Sequence, residues 1–346
     1  MAQREITKCE PLNVHIAAIS LVVPCYNEQE VLPITIPKLI DLLLELSQKG
    51  KIATSSRVVL IDDGSRDETW KIIEARASAS PQVTGIKLSR NRGHQNALLA
   101  GLWNAPGDAL ISIDADLQDD LVAVEQMIDA FLSGADIVYG VRRSRSTDTP
   151  MKRLSAEWYY RVLHLMGVEV VFNHADYRLL SRRAVEALRE FREVNLFLRG
   201  VIPLLGFPSS IVYYDRKERA AGASKYPLNK MIGLAWQGIT SFSAMPLRFI
   251  TAIGFGVFVG SLLVSGWALA VRLFTDRVVP GWASTVVPMY LLGGIQLLGI
   301  GVIGEYLAKI YMETKARPQY FVEKLAGAEQ IERGRPGGRA NGSFRS

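Results

Sequence analysis

Two stretches near the C-terminus limit what this chain can fold into. Residues 249–271 are 23 positions without a charged side chain, and residues 286–304 are another 19, ended by Glu305. Each is long enough, as a helix, to cross a hydrocarbon core about 30 Å thick. Two buried core helices would show the same composition, but both stretches exceed ordinary core-helix length and lie close together in the chain. The expectation is a two-helix transmembrane hairpin over residues 248–308. Arg216, Lys217, Arg219, Lys225, Lys230 and Arg248 precede it, Lys309, Lys315, Arg317 and Lys324 follow it, and the connection holds only Arg272, Asp276 and Arg277. Basic flanks stay in the cytoplasm. This predicts a multi-pass inner-membrane protein with both termini and its large N-terminal part cytoplasmic. The net charge of +6 suits a surface that meets anionic lipid. Nucleic acid is the rival partner for a basic chain, but no aromatic–basic recognition module accompanies the charge, so none is expected. The N-terminus, with Arg4, Glu5, Lys8 and Glu10, lacks the pattern of a signal peptide. Cys9 and Cys25 lack metal-site spacing and read as free thiols.

The remaining length is read from periodicity. Apolar runs at 19–23, 57–61, 83–88, 109–113 and 137–139 alternate with helical patterns at about 29–48, 67–78, 94–104 and 121–133. Strands alternating with helices predict a mostly parallel, Rossmann-like α/β sheet, and strands this apolar are covered on both faces. The expected plan is an N-terminal extension (1–17), a cytoplasmic catalytic domain (18–225), an interfacial amphipathic helix (226–247), the hairpin (248–308) and a cytoplasmic tail (309–346), disordered from about 327. Residues 151–166 suit either an interfacial helix or a surface helix of the soluble domain.

Polar clusters close four of the strands. Pro24-Cys25-Tyr26-Asn27-Glu28 follows the first and exposes a ring and a carboxylate; Asn27 as a helix N-cap is an equal reading. Asp62-Asp63-Gly64-Ser65 follows the second, where Ser65 can cap a helix and an aspartate can accept from a nucleobase. Ser89-Arg90-Asn91-Arg92-Gly93-His94 follows the third. Asp114-Ala115-Asp116-Leu117-Gln118-Asp119 follows the fourth. Open α/β sheets bind ligands beyond the carboxyl ends of their strands. On extended backbone Asp114, Asp116 and Gln118 point the same way, a donor set for a hard cation such as Mg²⁺ or Mn²⁺; an acidic turn is the plain alternative. Arg142, Arg143 and Arg145 after the fifth strand are either a phosphate grip or a solvated charge run.

The order of these segments resembles the family 2 glycosyltransferases with a GT-A fold. Ala175-Asp176-Tyr177-Arg178, Ala221-Gly222-Ala223-Ser224-Lys225-Tyr226, Gly304-Glu305-Tyr306 and Ala316-Arg317-Pro318-Gln319-Tyr320-Phe321 narrow the resemblance to polyprenyl-phosphate glycosyltransferases, a group with bactoprenol glucosyltransferases and dolichol-phosphate mannose synthases. It covers about residues 18–323. The resemblance implies that Pro24, Tyr26, Glu28, Asp63 and Asp114 hold the nucleotide-sugar and that Asp114, Asp116 and Gln118 hold the metal. Asp176 and Arg178 would then sit at the reaction centre, with Arg142, Arg178 and Lys225 on the acceptor phosphate. Two departures stand out: Asp120 where related chains often carry Pro, and Ala175 where Gly often precedes the aspartate.

The implied reaction is an inverting, metal-dependent transfer of one sugar from a UDP-hexose, glucose first among them, to undecaprenyl phosphate. A processive polysaccharide synthase is an alternative, but no Gln-x-x-Arg-Trp segment is present. A non-catalytic membrane scaffold would have lost the Asp114–Gln118 pattern. A phosphate monoester is mostly dianionic above its second pKa near 6, so Asp176 is either a base or an orienting group. Two helices make a small membrane body, so a homo-oligomer, such as a tetramer, is expected.

Overall fold

The computed structural model describes residues 16–143, 174–191, 193, 198–215, 245–274 and 281–327. The first five strands fall where the apolar runs predict: β1 (Ile19–Cys25), β2 (Arg57–Asp62), β3 (Val83–Leu88), β4 (Ala109–Ser112) and β5 (Ile137–Arg142). Between them lie α1 (Leu32–Gln48), α2 (Thr69–Ala79), α3 (His94–Asn104) and α4 (Val122–Leu132). Periodicity leaves three strands unread: β6 (His174–Ser181), β7 (Ser209–Tyr214) and β8 (Val322–Ala326). Two short helices, α5 (Arg182–Arg189) and α6 (Leu198–Leu204), separate β6 from β7.

The eight strands form one sheet in the order β7-β5-β6-β4-β1-β2-β3-β8. The β3-β2-β1-β4 block is parallel, and β5 pairs β7 in parallel. β6 is inserted antiparallel between β4 and β5, and β8 caps β3 antiparallel. The sheet is therefore mostly parallel, with two reversed strands that repeated strand–helix alternation does not announce. Because strand side chains alternate between faces, Leu21, Leu60, Ile111 and Leu179 enter one core with α1, α2 and α4. Val22, Ile61, Leu110 and Leu180 enter the other with α3, α5 and α6. Each such residue is fully buried, which stabilises the fold by about 1.5–3 kcal/mol apiece. Gly101 lets α3 lie directly on the sheet; a Cβ there would stand 2.3 Å from Val22 Cγ1.

The two apolar stretches lie in α7 (Met245–Phe274) and α8 (Trp282–Lys315). Among the described residues, Leu292–Lys315 is the one stretch long and apolar enough to cross a membrane. Phe255, Leu263, Trp267, Met289 and Leu297 are exposed on these helices. α7 and α8 approach where a Cβ on Gly299 would meet Ile250 Cγ2 at 3.4 Å; among the described residues nothing lies within 4 Å of that position at Gly254, Gly256, Gly260, Gly293, Gly294, Gly301 and Gly304.

After α8 the chain turns through Ala316, at φ +44°, and returns to the sheet. Gln319 donates to the Glu193 carbonyl at 2.6 Å, Asn104 donates to the Tyr320 hydroxyl at 3.1 Å, and Tyr320 packs on Trp103. β8 then zips onto β3, pairing Lys87 with Lys324 and Gly85 with Ala326. Part of the segment read as a plain tail is thus the last strand of the sheet. The expected interfacial helix, with Lys225, lies outside the described residues apart from its last three positions, as do residues 151–166, Arg145 and the chain beyond 327.

Candidate active site

The carboxyl ends of β1, β2 and β4 open on one edge of the sheet, and the loops there are tied to one another. Asn27, at φ +54°, receives a hydrogen bond at its side chain from the Arg66 N–H (2.9 Å) and donates its own N–H to Ser65 Oγ (2.9 Å). It is therefore a clasp between the β1 and β2 loops and caps no helix; α1 starts five residues later. Ser65 likewise caps nothing, and Asp67 accepts the Thr69 N–H that opens α2. Asp62 and Asp63 are both buried. Asp63 accepts from the N–H groups of Arg92 (2.7 Å) and Gly93 (2.9 Å), so its carboxylate fixes the loop that starts α3. Gly64, at φ +65°, permits the crossing, because a Cβ there would stand 2.6 Å from the Arg90 carbonyl carbon. Of the expected nucleotide residues, Tyr26 is exposed and Glu28 half-buried at this edge, while Pro24 is buried inside β1.

The acidic motif departs from the expected geometry. β4 ends at Ser112, and Asp114–Leu117 is a turn in which the Leu117 N–H reaches the Asp114 carbonyl at 3.4 Å. Leu117 sits at φ +49°, a left-handed conformation that strains a non-glycine residue. Alternation along extended backbone therefore does not align Asp114, Asp116 and Gln118. The turn is held from below by Thr35 of α1, whose hydroxyl donates to the Ala115 carbonyl at 2.7 Å. Gln118 is buried, and its N–H donates to Asp116 Oδ1 at 3.2 Å.

Strand register brings the second half of the site to this turn. Ser112 of β4 pairs with Arg178 of β6 in antiparallel register, so two residues further out on each strand stand Asp114 and Asp176. His94, the first residue of α3, lies 3.8 Å from Asp114 and 3.9 Å from Asp176 through Nε2. Asp176 is gripped on its other side by two guanidinium groups. Arg178 Nη2 bonds its Oδ1, and Arg199 of α6 donates from Nε (3.2 Å) and Nη2 (3.0 Å). Burial pushes the Asp176 carboxyl up, but Arg178 and Arg199, with His94, overcome it and hold the group below the usual carboxylate range. Arg178 is 1% exposed. In the structure its partner is Asp176.

Desolvation in the recess, and the nearby charges of Asp176 and Asp116, raise the pKa of Asp114, against the opposing charges of His94 and Arg142. Such crowding of negative charge is what a divalent cation relieves. Among the described residues no three His, Cys, Asp or Glu side chains form a complete protein cage. The oxygen donors of Asp114 and Asp116 are of the kind that fits Mg²⁺ or Mn²⁺, which one or two carboxylates can hold when substrate phosphates share the ion.

On the far side of the turn, Asp119 is buried and accepts from the Tyr214 hydroxyl at 2.6 Å; burial, then the charge of Asp114, push its carboxyl up to about 6. Arg142 Nε donates to the same hydroxyl at 3.3 Å. Burial works against the Arg142 charge, and the Tyr214 hydroxyl with the Asp119 and Asp114 carboxylates outweighs it. His94, Arg199, Asp119 and Tyr214 have no assigned role in the sequence reading. Arg199 carried a usable signal: like Arg178, it is a lone charge in an apolar run, Phe197-Leu198-Arg199-Gly200.

The mostly parallel sheet thus gathers an acidic turn, a clamped carboxylate and arginines at one strand edge. Residues 20–189 match the model of glycosyl transferase family 2, and the chain belongs to that family. It is 46% identical over 315 residues to an uncharacterized glycosyltransferase of Bacillus subtilis (strain 168), YkoT, covering 90% of this chain and 93% of that protein. It is 42% identical over 307 residues to the SfII prophage-derived bactoprenol glucosyl transferase of Shigella flexneri, covering 88% of this chain and 97% of that one. A solved structure of glucosyl-3-phosphoglycerate synthase from Mycobacterium tuberculosis aligns at TM-score 0.41 and 20% identity, over 65% of this chain and 79% of that chain. This protein is a glycosyltransferase.

Proposed function

We propose that this chain transfers one sugar, with inversion, from a UDP-hexose, glucose first among them, to undecaprenyl phosphate at the cytoplasmic face of the inner membrane. One observation carries the reading: the β4–β6 register sets Asp114 against the Arg-clamped Asp176, with His94 between them. The acceptor is supported by the relatives named bactoprenol glucosyl transferase, matched over nearly their whole length, and by the apolar faces of α7 and α8.

In this reading residues 18–225 are the cytoplasmic catalytic domain, 226–247 an interfacial helix, 248–308 a membrane hairpin and 309–346 a cytoplasmic segment that includes β8; the body is a homo-oligomer, such as a tetramer. The nucleoside lies against Tyr26 and Glu28, on a floor shaped by Pro24 and Asp63. A divalent cation held by Asp114 and Asp116, with Gln118 beneath, would neutralise charge on the diphosphate leaving group. Arg142, with Lys225, receives the acceptor phosphate. That phosphate is largely dianionic near neutrality and needs no base, so Asp176 serves to orient Arg199 and to balance the buried Arg178. Attack opposite the leaving group inverts the anomeric carbon.

The test is direct. Purified protein is incubated with undecaprenyl phosphate, Mg²⁺ or Mn²⁺ and a panel of UDP- and GDP-sugars, and the lipid fraction is read by mass spectrometry. A single-sugar lipid phosphate formed from a UDP-hexose is expected. Polymer product, or no sugar-lipid from any donor, would overturn the reading.

A further inference from the structure

Arg142 and Tyr214 are register partners across β5 and β7, at the end of both strands nearest the acidic turn. Arg142 Nε donates to the Tyr214 hydroxyl at 3.3 Å, and that hydroxyl donates its single proton to Asp119 Oδ1 at 2.6 Å. Asp119 is 3% exposed and leads directly out of the turn that carries Asp114 and Asp116. The Tyr214 ring is itself braced: Tyr177 meets it edge-on at 5.1 Å between centroids and donates to the Asp120 carbonyl at 2.9 Å. Asp119 is thus the anchor of a hydrogen-bonded chain that ends on a cation, while the Asp120 carbonyl holds the ring that braces it.

A guanidinium group is planar, so fixing Nε fixes the direction of its two terminal nitrogens. We propose that Tyr214 is a positioning residue, which locks the Arg142 fork beside the acidic turn so that it meets a substrate phosphate bidentately. The proposal rests on the sugar-transfer reading, in which two phosphates enter this edge: the donor diphosphate and the lipid monophosphate. Either presents the same oxygens to the fork.

Calorimetric titration of the full-length, detergent-solubilised protein separates the two sources without turnover. The probes are UDP with Mg²⁺ and farnesyl monophosphate. Tyr214→Phe keeps the ring on Tyr177 and removes only the hydroxyl. Losing a hydrogen bond to a charged group is expected to weaken binding of one probe about tenfold. Loss of UDP affinity assigns the fork to the donor, and loss of farnesyl phosphate affinity assigns it to the acceptor. Arg142→Lys should weaken the same probe, and the double variant should bind no worse than Arg142→Lys alone. Asp119→Ala approaches the hydroxyl from the other side; it should weaken that probe too, and be silent in the Arg142→Lys background. It carries the test if Tyr214→Phe does not fold. Effects that multiply to about a hundredfold would mean that Tyr214 acts independently of Arg142, since uncoupled free energies add. That result, wild-type affinity for both probes in Tyr214→Phe, or a wild type that binds neither probe, overturns the proposal. Sugar transfer is measured on the same preparations. Coupled binding without transfer refutes the functional reading and leaves Tyr214 in place; transfer without coupling does the reverse.

Discussion

Asp176→Asn is a sharper probe of folding than of catalysis. Arg178 lies beneath the site at 1% exposure with Asp176 as its counter-charge, and among the described residues its Nε and Nη1 have no hydrogen-bond partner. Removing one member of a buried pair costs about 3–5 kcal/mol, because the surviving charge stays desolvated. The Arg199 arm contributes little, since its side chain is 33% exposed and exposed pairs are worth about 0–1 kcal/mol. An asparagine retains some hydrogen bonding, which places the expected loss near the lower bound, about 3 kcal/mol. In a domain of this size that lowers the melting temperature by about 6–12 °C. The assay is urea unfolding of the solubilised protein followed by tryptophan fluorescence, with thermal melts alongside. Adding Arg178→Met to Asp176→Asn removes the stranded charge and should restore at least about 2 kcal/mol while sugar transfer stays slow. If Asp176→Asn unfolds within about 0.5 kcal/mol of wild type, as an ordinary surface change would, or if the double variant is the less stable one, the buried-pair account is wrong.

Three further outcomes are expected. Because Asp176 has a depressed pKa, its stabilising charge is present above the unfolded value of about 3.9 and fades only as pH falls through the lower folded value; kcat measured from about pH 5 to 9 should carry no limb that Asp176→Asn abolishes, and such a limb would make it a general base. Asp116→Ala should fold and insert yet lose turnover, and wild type should lose it in excess EDTA; full activity in either case removes the metal from the mechanism. Gly64→Ala forces a left-handed residue and a Cβ contact of 2.6 Å onto the Arg90 backbone, so it should destabilise by about 2 kcal/mol or more and raise the donor KM, measured by urea unfolding and initial rates.

Much of the fold was legible because five strands and four helices follow plain hydrophobic periodicity, and the clusters at the strand ends lie together at one edge of the sheet. What escaped was register and reversal. The pairing of Asp114 with Asp176 follows from an antiparallel β6 and a particular alignment with β4, neither of which a local pattern encodes. The extended geometry expected of Asp114, Asp116 and Gln118 failed because Leu117 adopts a left-handed conformation that nothing in its chemistry signals. Arg178 stands out as a charge in an apolar sequence, but its burial and its pairing with Asp176 are not visible there. Asn27, for which a helix cap is one of two equal readings, and Asp63, expected at the nucleoside, each also tie two loops together, a role visible only once the loops are neighbours.

β8 has a consequence for biosynthesis. Its partner β3 leaves the ribosome some 235 residues before it, as the Lys87–Lys324 pairing shows. Throughout the synthesis of α7 and α8, the catalytic sheet therefore ends in the unpaired edge of β3. Only after the second apolar helix has been made can residues 322–326 close that edge. Completion of the catalytic domain is thus ordered after emergence of the hydrophobic segments, and a chain truncated within α8 would leave β3 open to pairing with another chain.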